Sequence, residues 1–92
     1  RGFDTLDEAV EAVNDSVYGL SSAIFTESLG AANAFIEGVH TGQVSVNLPT
    51  SGWDIHHPFG GFKHSGSGYK EQGTETLNFY TRVKTVAIRA AR

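Results

Sequence analysis

Apolar residues recur with helical spacing near the start of the chain. The spacing i, i+3, i+4, i+7, which places side chains on one face of a helix, is followed by Leu6, Ala9, Val10 and Val13. Thr5 and Glu8 fit a capping box, in which a hydroxyl and a carboxylate each satisfy a free backbone N–H group. The polar run at residues 14–16 ends the pattern. We therefore predict a first helix that begins after Thr5 and ends at this run.

The next part of the chain alternates between two kinds of hydrophobic pattern. Residues 20–26 read as a short strand, and Ser28 is placed to cap a second helix. The apolar stripe of that helix comprises Leu29, Ala32, Phe35, Ile36 and Val39. Residues 43–47 then alternate apolar and polar side chains, as a strand does. Together these elements predict a β–α–β unit, most simply a right-handed parallel crossover.

The last half of the chain has a long aperiodic stretch followed by two predicted elements. Residues 49–73 show no clear periodicity, and a loop of that length in a compact domain is usually functional. Thr74 is a plausible N-cap for a short helix. Residues 82–88, rich in β-branched side chains, predict a strand. An unpaired apolar strand is an aggregation hazard, so we expect this strand to pair with further chain or with another subunit.

Composition narrows the function classes. The chain has 92 residues, 39% of them hydrophobic, a net charge of −3, no cysteine and no methionine. These values favour a soluble globular domain, and we expect a cytoplasmic protein that binds neither nucleic acid nor membrane. Without cysteine the chain itself supplies no disulfide, zinc thiolate or thiol nucleophile. The absence of an initiating methionine favours either processing or a piece of a longer chain.

The glycine-rich stretch at residues 56–73 contains residue types that suit three kinds of chemistry. Gly66 and Gly68 begin a dinucleotide fingerprint, but Glu71 stands where its third glycine is required. Ser65 lies beside His64, yet adjacency in sequence is not the geometry of a catalytic triad. The residue types that could ligate zinc, for which hydrogen-bonded loop residues are the favoured interpretation, are Asp54, His56, His57 and His64. None of these chemistries is favoured.

A geometric interpretation of the same stretch is better supported. Pro58 restricts His57 to extended backbone, and Gly60 and Gly61 allow the chain to turn sharply. The combination predicts a rigid turn that presents the aromatic ring of Phe59. A turn that simply packs well remains the alternative at this point.

Several motifs, in their order, resemble the C-terminal end of the aldehyde dehydrogenase superfamily. The matching segments, which cover the chain from about Thr5 to Ile88, are YGLSSAIFT, GQVSVN, PFGGFKHSGSGYKEQG and FYTRVKTV. The resemblance implies an α/β fold, part of an aldehyde dehydrogenase-like three-layer fold. Its parts here would be the β–α–β unit, the glycine-rich loop, a short helix and a terminal oligomerisation strand. Residues 1–81 would complete the catalytic domain, and residues 82–92 would form the oligomerisation strand and tail.

The resemblance also implies an activity and a division of labour. Such enzymes oxidise aldehydes to acids with NAD or NADP, using a cysteine and a glutamate that lie upstream of the matched region. This segment alone is therefore expected to be inactive, with no catalytic residue and no cofactor or metal site of its own. Phe59 would line the aldehyde pocket, with Trp53 as a second substrate-binding residue on the loop from Leu48 to His57. Asn47, which closes the strand before that loop, is expected to have a structural role.

Finer points of the resemblance concern substrate and assembly. The run after Gly68 is one residue longer than is common in the family, and the loop before Pro58 also differs in length. With VNLPTSGWD, these features look most like the branch that acts on α-ketoglutarate semialdehyde. Residues 82–89 would pair across a subunit interface in a homo-oligomer. The leading hypothesis is a C-terminal fragment of such an enzyme. The alternatives are a free-standing, non-catalytic assembly module derived from the family and an independent metal- or phosphate-binding loop protein.

Overall fold

A computed structural model describes residues 1–91. Within that range the chain forms three helices and four short strands. In chain order they are α1 (Leu6–Asn14), β1 (Tyr18–Gly19), β2 (Ser21–Ile24), α2 (Leu29–Gly38), β3 (Gln43–Val46), β4 (Phe62–Lys63) and α3 (Glu75–Tyr80). The α/β class, the three helices and the strands β2 and β3 confirm the sequence predictions, whereas β1 and β4 are additional.

Helix α1 begins with a variant of the predicted cap. The Thr5 hydroxyl accepts a hydrogen bond from the Glu8 N–H at 3.2 Å, as a capping box requires. The Glu8 carboxylate, however, accepts from the N–H of Asp4 at 3.1 Å rather than from that of Thr5. The Glu8 side chain thus reaches one residue beyond the N-cap. The carboxylates of Asp7 and Glu8 lie in the first turn, where they interact favourably with the positive end of the helix dipole.

The β–α–β unit holds the core of the molecule. Strands β2 and β3 pair in parallel, in a register that runs from Ser21 opposite Gln43 to Ile24 opposite Val46. Helix α2 connects them, and its Ser28 cap accepts from the N–H of Ala31 at 3.1 Å, as predicted. The buried apolar side chains belong to this helix and its C-cap: Ala32, Phe35 and Val39.

Strands β1 and β4 form a second, antiparallel pair. Tyr18 lies opposite Lys63, and Gly19 lies opposite Phe62. Each strand has only two residues, so neither carries the alternation that identifies a strand in a sequence. The pairing nevertheless matters, because it fastens the glycine-rich loop to the start of the β–α–β unit.

The C-terminal residues 81–91 form neither helix nor strand, and all of them are exposed. The strand predicted over residues 82–88 is therefore not formed in the single chain. The physical reason is that strand pairing needs a second row of backbone donors and acceptors, which nothing else in the described part of this chain supplies. Pairing with another subunit remains a prediction.

Large apolar side chains are unusually exposed outside this thin core. They occur just after β2, on α2, on the long loop and on α3, and they include Phe25, Leu29, Ile55, Tyr69, Leu77 and Tyr80. The most exposed of all are Val83 and Ile88 near the C-terminus. Exposed apolar surface on this scale is typical of surfaces that contact other protein. Within residues 1–91, no helix has the length and apolar character needed to cross a bilayer.

Candidate functional site

The turn that carries Phe59 is fixed by a two-way backbone bridge. The N–H of Phe59 donates to the carbonyl of Glu71 at 2.6 Å, and the N–H of Glu71 donates back at 2.9 Å. Phe59 is half-buried in this arrangement. The rigid turn predicted at residues 58–61 is therefore held by a partner twelve residues later in the chain, which the sequence did not indicate.

Two glycines allow backbone segments to touch around this turn. A Cβ atom at Gly42 would overlap the carbonyl oxygen of Gly60, and one at Gly66 would overlap the carbonyl oxygen of Gly61. Both obstacles are backbone atoms, so no side chain can rotate away to make room. The loop is thus pressed against the segment that leads into β3, and the glycines serve close approach rather than ligand binding.

Lys70 crosses from the loop to the start of β3. Its Nζ donates to the carbonyl of Gly42 and to Oε1 of Gln43, the latter at 2.7 Å. The same Gln43 oxygen accepts from the N–H of Gly60 at 3.3 Å. Partial burial of the ammonium group lowers the pKa of Lys70. The Lys70 ammonium group is therefore directed toward the start of β3.

Lys63 anchors the other half of the loop. Its Nζ donates to the carbonyls of Asn14 and Ser16, each at 2.9 Å, and so satisfies backbone acceptors at the end of α1. Asn14 in turn donates from Nδ2 to the Gly38 carbonyl at 2.8 Å and accepts from the His40 N–H at 2.7 Å. These contacts tie the ends of α1 and α2 to the loop. Sequence analysis missed both roles, since an isolated lysine or asparagine carries no periodic signal.

Asn47 has the structural role expected of it. Its backbone adopts φ 58°, in the left-handed region that asparagine tolerates better than most residues. Its side-chain Oδ1 accepts from the Thr26 N–H at 2.8 Å, and Nδ2 donates to the Thr26 carbonyl at 3.0 Å. The amide thereby extends the pairing of β2 and β3 by one residue while the main chain turns away into the long loop.

Trp53 lines an open groove beside β3. The groove has a volume of about 390 Å³ and a mainly apolar wall that includes Val44, Val46, Leu48, Pro49 and Trp53. The Trp53 indole is oriented by an Nε1 hydrogen bond to the Thr50 carbonyl at 3.2 Å and by an edge-on contact with the His57 ring. Asp54 and His57 supply the polar part of the lining.

Phe59 and Trp53 are not brought into one cavity. Phe59 is not among the described residues that line the Trp53 groove. Trp53 lies in the part of the loop at residues 48–57. Phe59 lies in the turn at residues 58–61 and is bridged to Glu71. A common substrate site for Phe59 and Trp53 is therefore a proposal and not a cavity observed within residues 1–91.

Asp54 and His56 form an exposed side-chain hydrogen bond at the tip of the loop. Asp54 Oδ1 lies 2.6 Å from His56 Nδ1 and accepts from the His56 backbone N–H at 2.8 Å. The backbone hydrogen bond, followed by the bond to the imidazole, lowers the pKa of Asp54. Across residues 1–91, no group of three or more His, Cys, Asp or Glu side chains is placed to hold a metal ion.

Acid is expected to open this loop tip. A carboxyl whose pKa is lowered by folding adds stability above its unfolded pKa and loses that contribution as pH falls through the folded value. The contact between Asp54 and His56 should therefore persist at neutral pH and be lost only as the pH falls below the ordinary pKa range of an aspartate carboxyl. Carboxyl carbon NMR would follow the titration. In His56→Ala the pKa of Asp54 should rise only part of the way to its ordinary value, because the backbone bond remains. An unchanged pKa in that variant would contradict a role for the imidazole.

Comparison with known proteins gives consistent matches along nearly the whole chain. The model for the aldehyde dehydrogenase family matches residues 1–86. The alpha-ketoglutaric semialdehyde dehydrogenase of Bacillus subtilis (strain 168) is 40% identical over 86 residues, covering 94% of this chain and 18% of the relative. The alpha-ketoglutarate semialdehyde dehydrogenase of Haloferax volcanii is 48% identical over 81 residues, covering 87% of this chain and 17% of the relative.

A solved structure gives the same result for the fold. An indole-3-acetaldehyde dehydrogenase mutant of P. syringae, in complex with NAD+ and IAA, superposes with a TM-score of 0.85 at 36% identity. The match covers 96% of this chain and 17% of that one. The chain therefore spans less than a fifth of the length of the proteins it matches. The expected α/β fold of the aldehyde dehydrogenase type is confirmed for this segment.

Proposed function

The chain belongs to the aldehyde dehydrogenase family, and from this premise we propose that it forms the C-terminal part of an NAD(P)-dependent catalytic domain. That domain oxidises an aldehyde to a carboxylic acid. The observation that carries the proposal is the braced turn at residues 58–61, which holds one aromatic side chain in a fixed position through backbone contacts on both sides. Residues 1–81 complete the catalytic domain, and residues 82–92 form the oligomerisation strand and tail.

The substrate we propose is an acid aldehyde such as α-ketoglutarate semialdehyde. The relatives from Bacillus subtilis and Haloferax volcanii carry that substrate in their names, and the likeness extends through the long loop. Phe59 supplies an aromatic wall near the reacting carbonyl, and Trp53 shapes the outer end of the pocket. Both side chains exclude water and position the substrate, which are contributions that need no ionisable group.

We propose that this segment contributes no dinucleotide site. The backbone N–H groups of Phe59, Gly60, His64 and Ser65, which a phosphate would need, already donate to acceptors elsewhere in the chain. NAD or NADP would therefore be held by residues outside this chain, as would the nucleophilic cysteine, because the sequence contains none. The segment contributes pocket walls and an interface, and a cytoplasmic location stays a proposal that cell fractionation would test.

Phe59→Ala is the variant that tests this assignment. In the full-length protein that contains this chain, formation of NADH or NADPH from a panel of semialdehydes would be followed. We expect kcat/KM to fall about tenfold or more, through a higher KM or slower turnover, because an apolar wall of the pocket is lost. Trp53→Ala should change the preference among aldehydes of different length more than the rate with any one of them.

The matched control is Phe62→Ala, three residues further along the same loop. Phe62 lies on β4 with its side chain half-exposed, away from the bridge between Phe59 and Glu71. Its replacement should leave the kinetic constants within about twofold of wild type. Failure of the wild-type protein to oxidise any aldehyde would overturn the proposed activity, and unchanged kinetics in Phe59→Ala would overturn the role of that residue.

The assembly module is the second candidate, and the exposed tail at residues 81–91 favours it. A module would recruit subunits through the tail without needing the pocket. Light scattering on the 92-residue chain separates the assembly module from the catalytic-domain segment. A module is expected to form a discrete oligomer without further protein. Aggregation of that chain would instead favour a segment that depends on the rest of a catalytic domain.

A further inference from the structure

We propose that Lys70 is a positioning residue for Phe59, acting through the Gln43 side chain and the backbone of Gly60. The inference rests on the proposed function in one respect, namely that Phe59 lines a substrate pocket. It goes beyond that function by naming the side chain that sets the position of the pocket wall. The residues concerned lie on two elements, the glycine-rich loop and the first residue of β3.

The first step is the shared acceptor. Gln43 Oε1 accepts from Lys70 Nζ at 2.7 Å and from the Gly60 N–H at 3.3 Å. Gln43 is 4% exposed, so its carboxamide has little access to water as a substitute partner. A buried polar group needs its hydrogen bonds, and the ammonium group fixes which way this carboxamide points. The orientation of Gln43 in turn fixes the amide of Gly60.

The second step links this contact to the aromatic ring. Phe59 directly precedes Gly60, and it is bridged on both backbone groups to Glu71, which directly follows Lys70. The two arms of the turn are therefore joined twice, once by the bridge and once through Lys70 and Gln43. Movement of Lys70 would disturb the hydrogen bond between Gln43 and Gly60, and it would also shift the neighbouring backbone of Glu71 that is bridged to Phe59.

The third step concerns the partners that Lys70 has. Its acceptors are neutral oxygens, the carbonyl of Gly42 and the carboxamide of Gln43, and in residues 1–91 no carboxylate forms an ion pair with it. A partly buried charge without a counter-charge costs desolvation energy, so it adds little stability. The two charge-assisted hydrogen bonds from Lys70 instead fix the positions of the Gly42 carbonyl and the Gln43 carboxamide. Lysine suits this task because its three donors rotate about a flexible stem.

The experiment compares Lys70→Met with Lys63→Met in the full-length protein. Both variants remove an ammonium group from the same loop, and each removes two hydrogen bonds to oxygen acceptors. Lys63 Nζ donates to the carbonyls of Asn14 and Ser16 at the end of α1, and neither acceptor lies in the turn at residues 58–61. We expect kcat/KM to fall about tenfold in Lys70→Met and to stay within about twofold of wild type in Lys63→Met.

A double-mutant cycle with Phe59→Ala separates positioning from general loss of stability. If Lys70 acts through Phe59, adding Lys70→Met to Phe59→Ala should lower kcat/KM by no more than about twofold further. Full additivity of the two effects would overturn the inference. The same cycle with Lys63→Met should be additive.

Hydrogen–deuterium exchange supplies a readout that does not depend on activity. Exchange of the Phe59 and Gly60 amides should become at least about tenfold faster in Lys70→Met and should change much less in Lys63→Met, whose acceptors lie at the end of α1. If the wild-type protein oxidises no aldehyde, the proposed function fails, and this exchange comparison still decides the role of Lys70. Equal exchange in the two variants would overturn it.

Discussion

Gly42→Ala is expected to lower the free energy of unfolding by about 3 kcal/mol or more. The added methyl group would overlap the Gly60 carbonyl, whose position is fixed by the adjoining bridge between Phe59 and Glu71. Relief would require the loop to move off the start of β3, which would also separate Gln43 from Lys70 and Gly60. A loss of this size is a large fraction of the stability of a small domain. Urea unfolding followed by circular dichroism would measure it.

The matched control is Gly30→Ala in helix α2. A Cβ atom at Gly30 meets only the Ser28 hydroxyl, at an ordinary contact distance of 3.8 Å. Alanine loses less backbone entropy than glycine when a helix forms, so this variant should gain about 0.5–1 kcal/mol. The same substitution thus has opposite signs at two positions. If Gly42→Ala is as stable as wild type, the close approach of the loop to β3 is wrong.

Loss of assembly is the expected result of replacing Thr85 and Val86 together with proline. If residues 82–89 form a strand across a subunit interface, alternate N–H groups face the partner. Two successive prolines remove one N–H group from each edge of the strand, so a donor to the partner is lost whichever edge forms the interface. Proline is also poorly tolerated within a sheet. Val83 is 95% exposed in the single chain, which leaves its apolar side chain available to a partner. Light scattering of the full-length protein should show the mass of a single subunit.

Proline at Ala90 and Ala91 serves as the control for this variant. These residues are also exposed and lie just beyond the proposed strand. Their replacement adds the same two rings but should leave the oligomer intact. An unchanged mass for the variant at Thr85 and Val86 would show that the interface lies elsewhere.

The parts of the fold that sequence predicted are those that carry a periodic signal. Helix α1 and the β–α–β unit are set by apolar side chains spaced at regular intervals, and local caps such as Thr5 and Ser28 mark the helix starts. Thr74 takes the predicted N-cap position of α3, but its side chain makes no cap hydrogen bond. Local rules place an element, but they do not fix how each terminal group is satisfied.

The loop contacts lay beyond sequence reasoning for a different reason. The bridge from Phe59 to Glu71 and the pairing of β1 with β4 are short and join distant residues, so neither leaves a pattern along the chain. Lys70 is a second case, because lysine is normally a surface residue and its inward direction depends on the carbonyl of Gly42. The proline and glycine pattern indicated Phe59, and the resemblance indicated both Phe59 and Trp53. The separation of their surroundings is visible only in three dimensions.

The left-handed turn at Asn47 has a consequence for how the pocket can change. Because the amide of Asn47 closes off β2 and β3 with its own hydrogen bonds, the sheet ends before the chain enters residues 48–57. Changes in the length of that loop are therefore expected to leave the pairing of β2 with β3 intact. If residues 48–57 shape a substrate pocket, as we propose, grafting these ten residues between relatives should change which aldehydes are preferred.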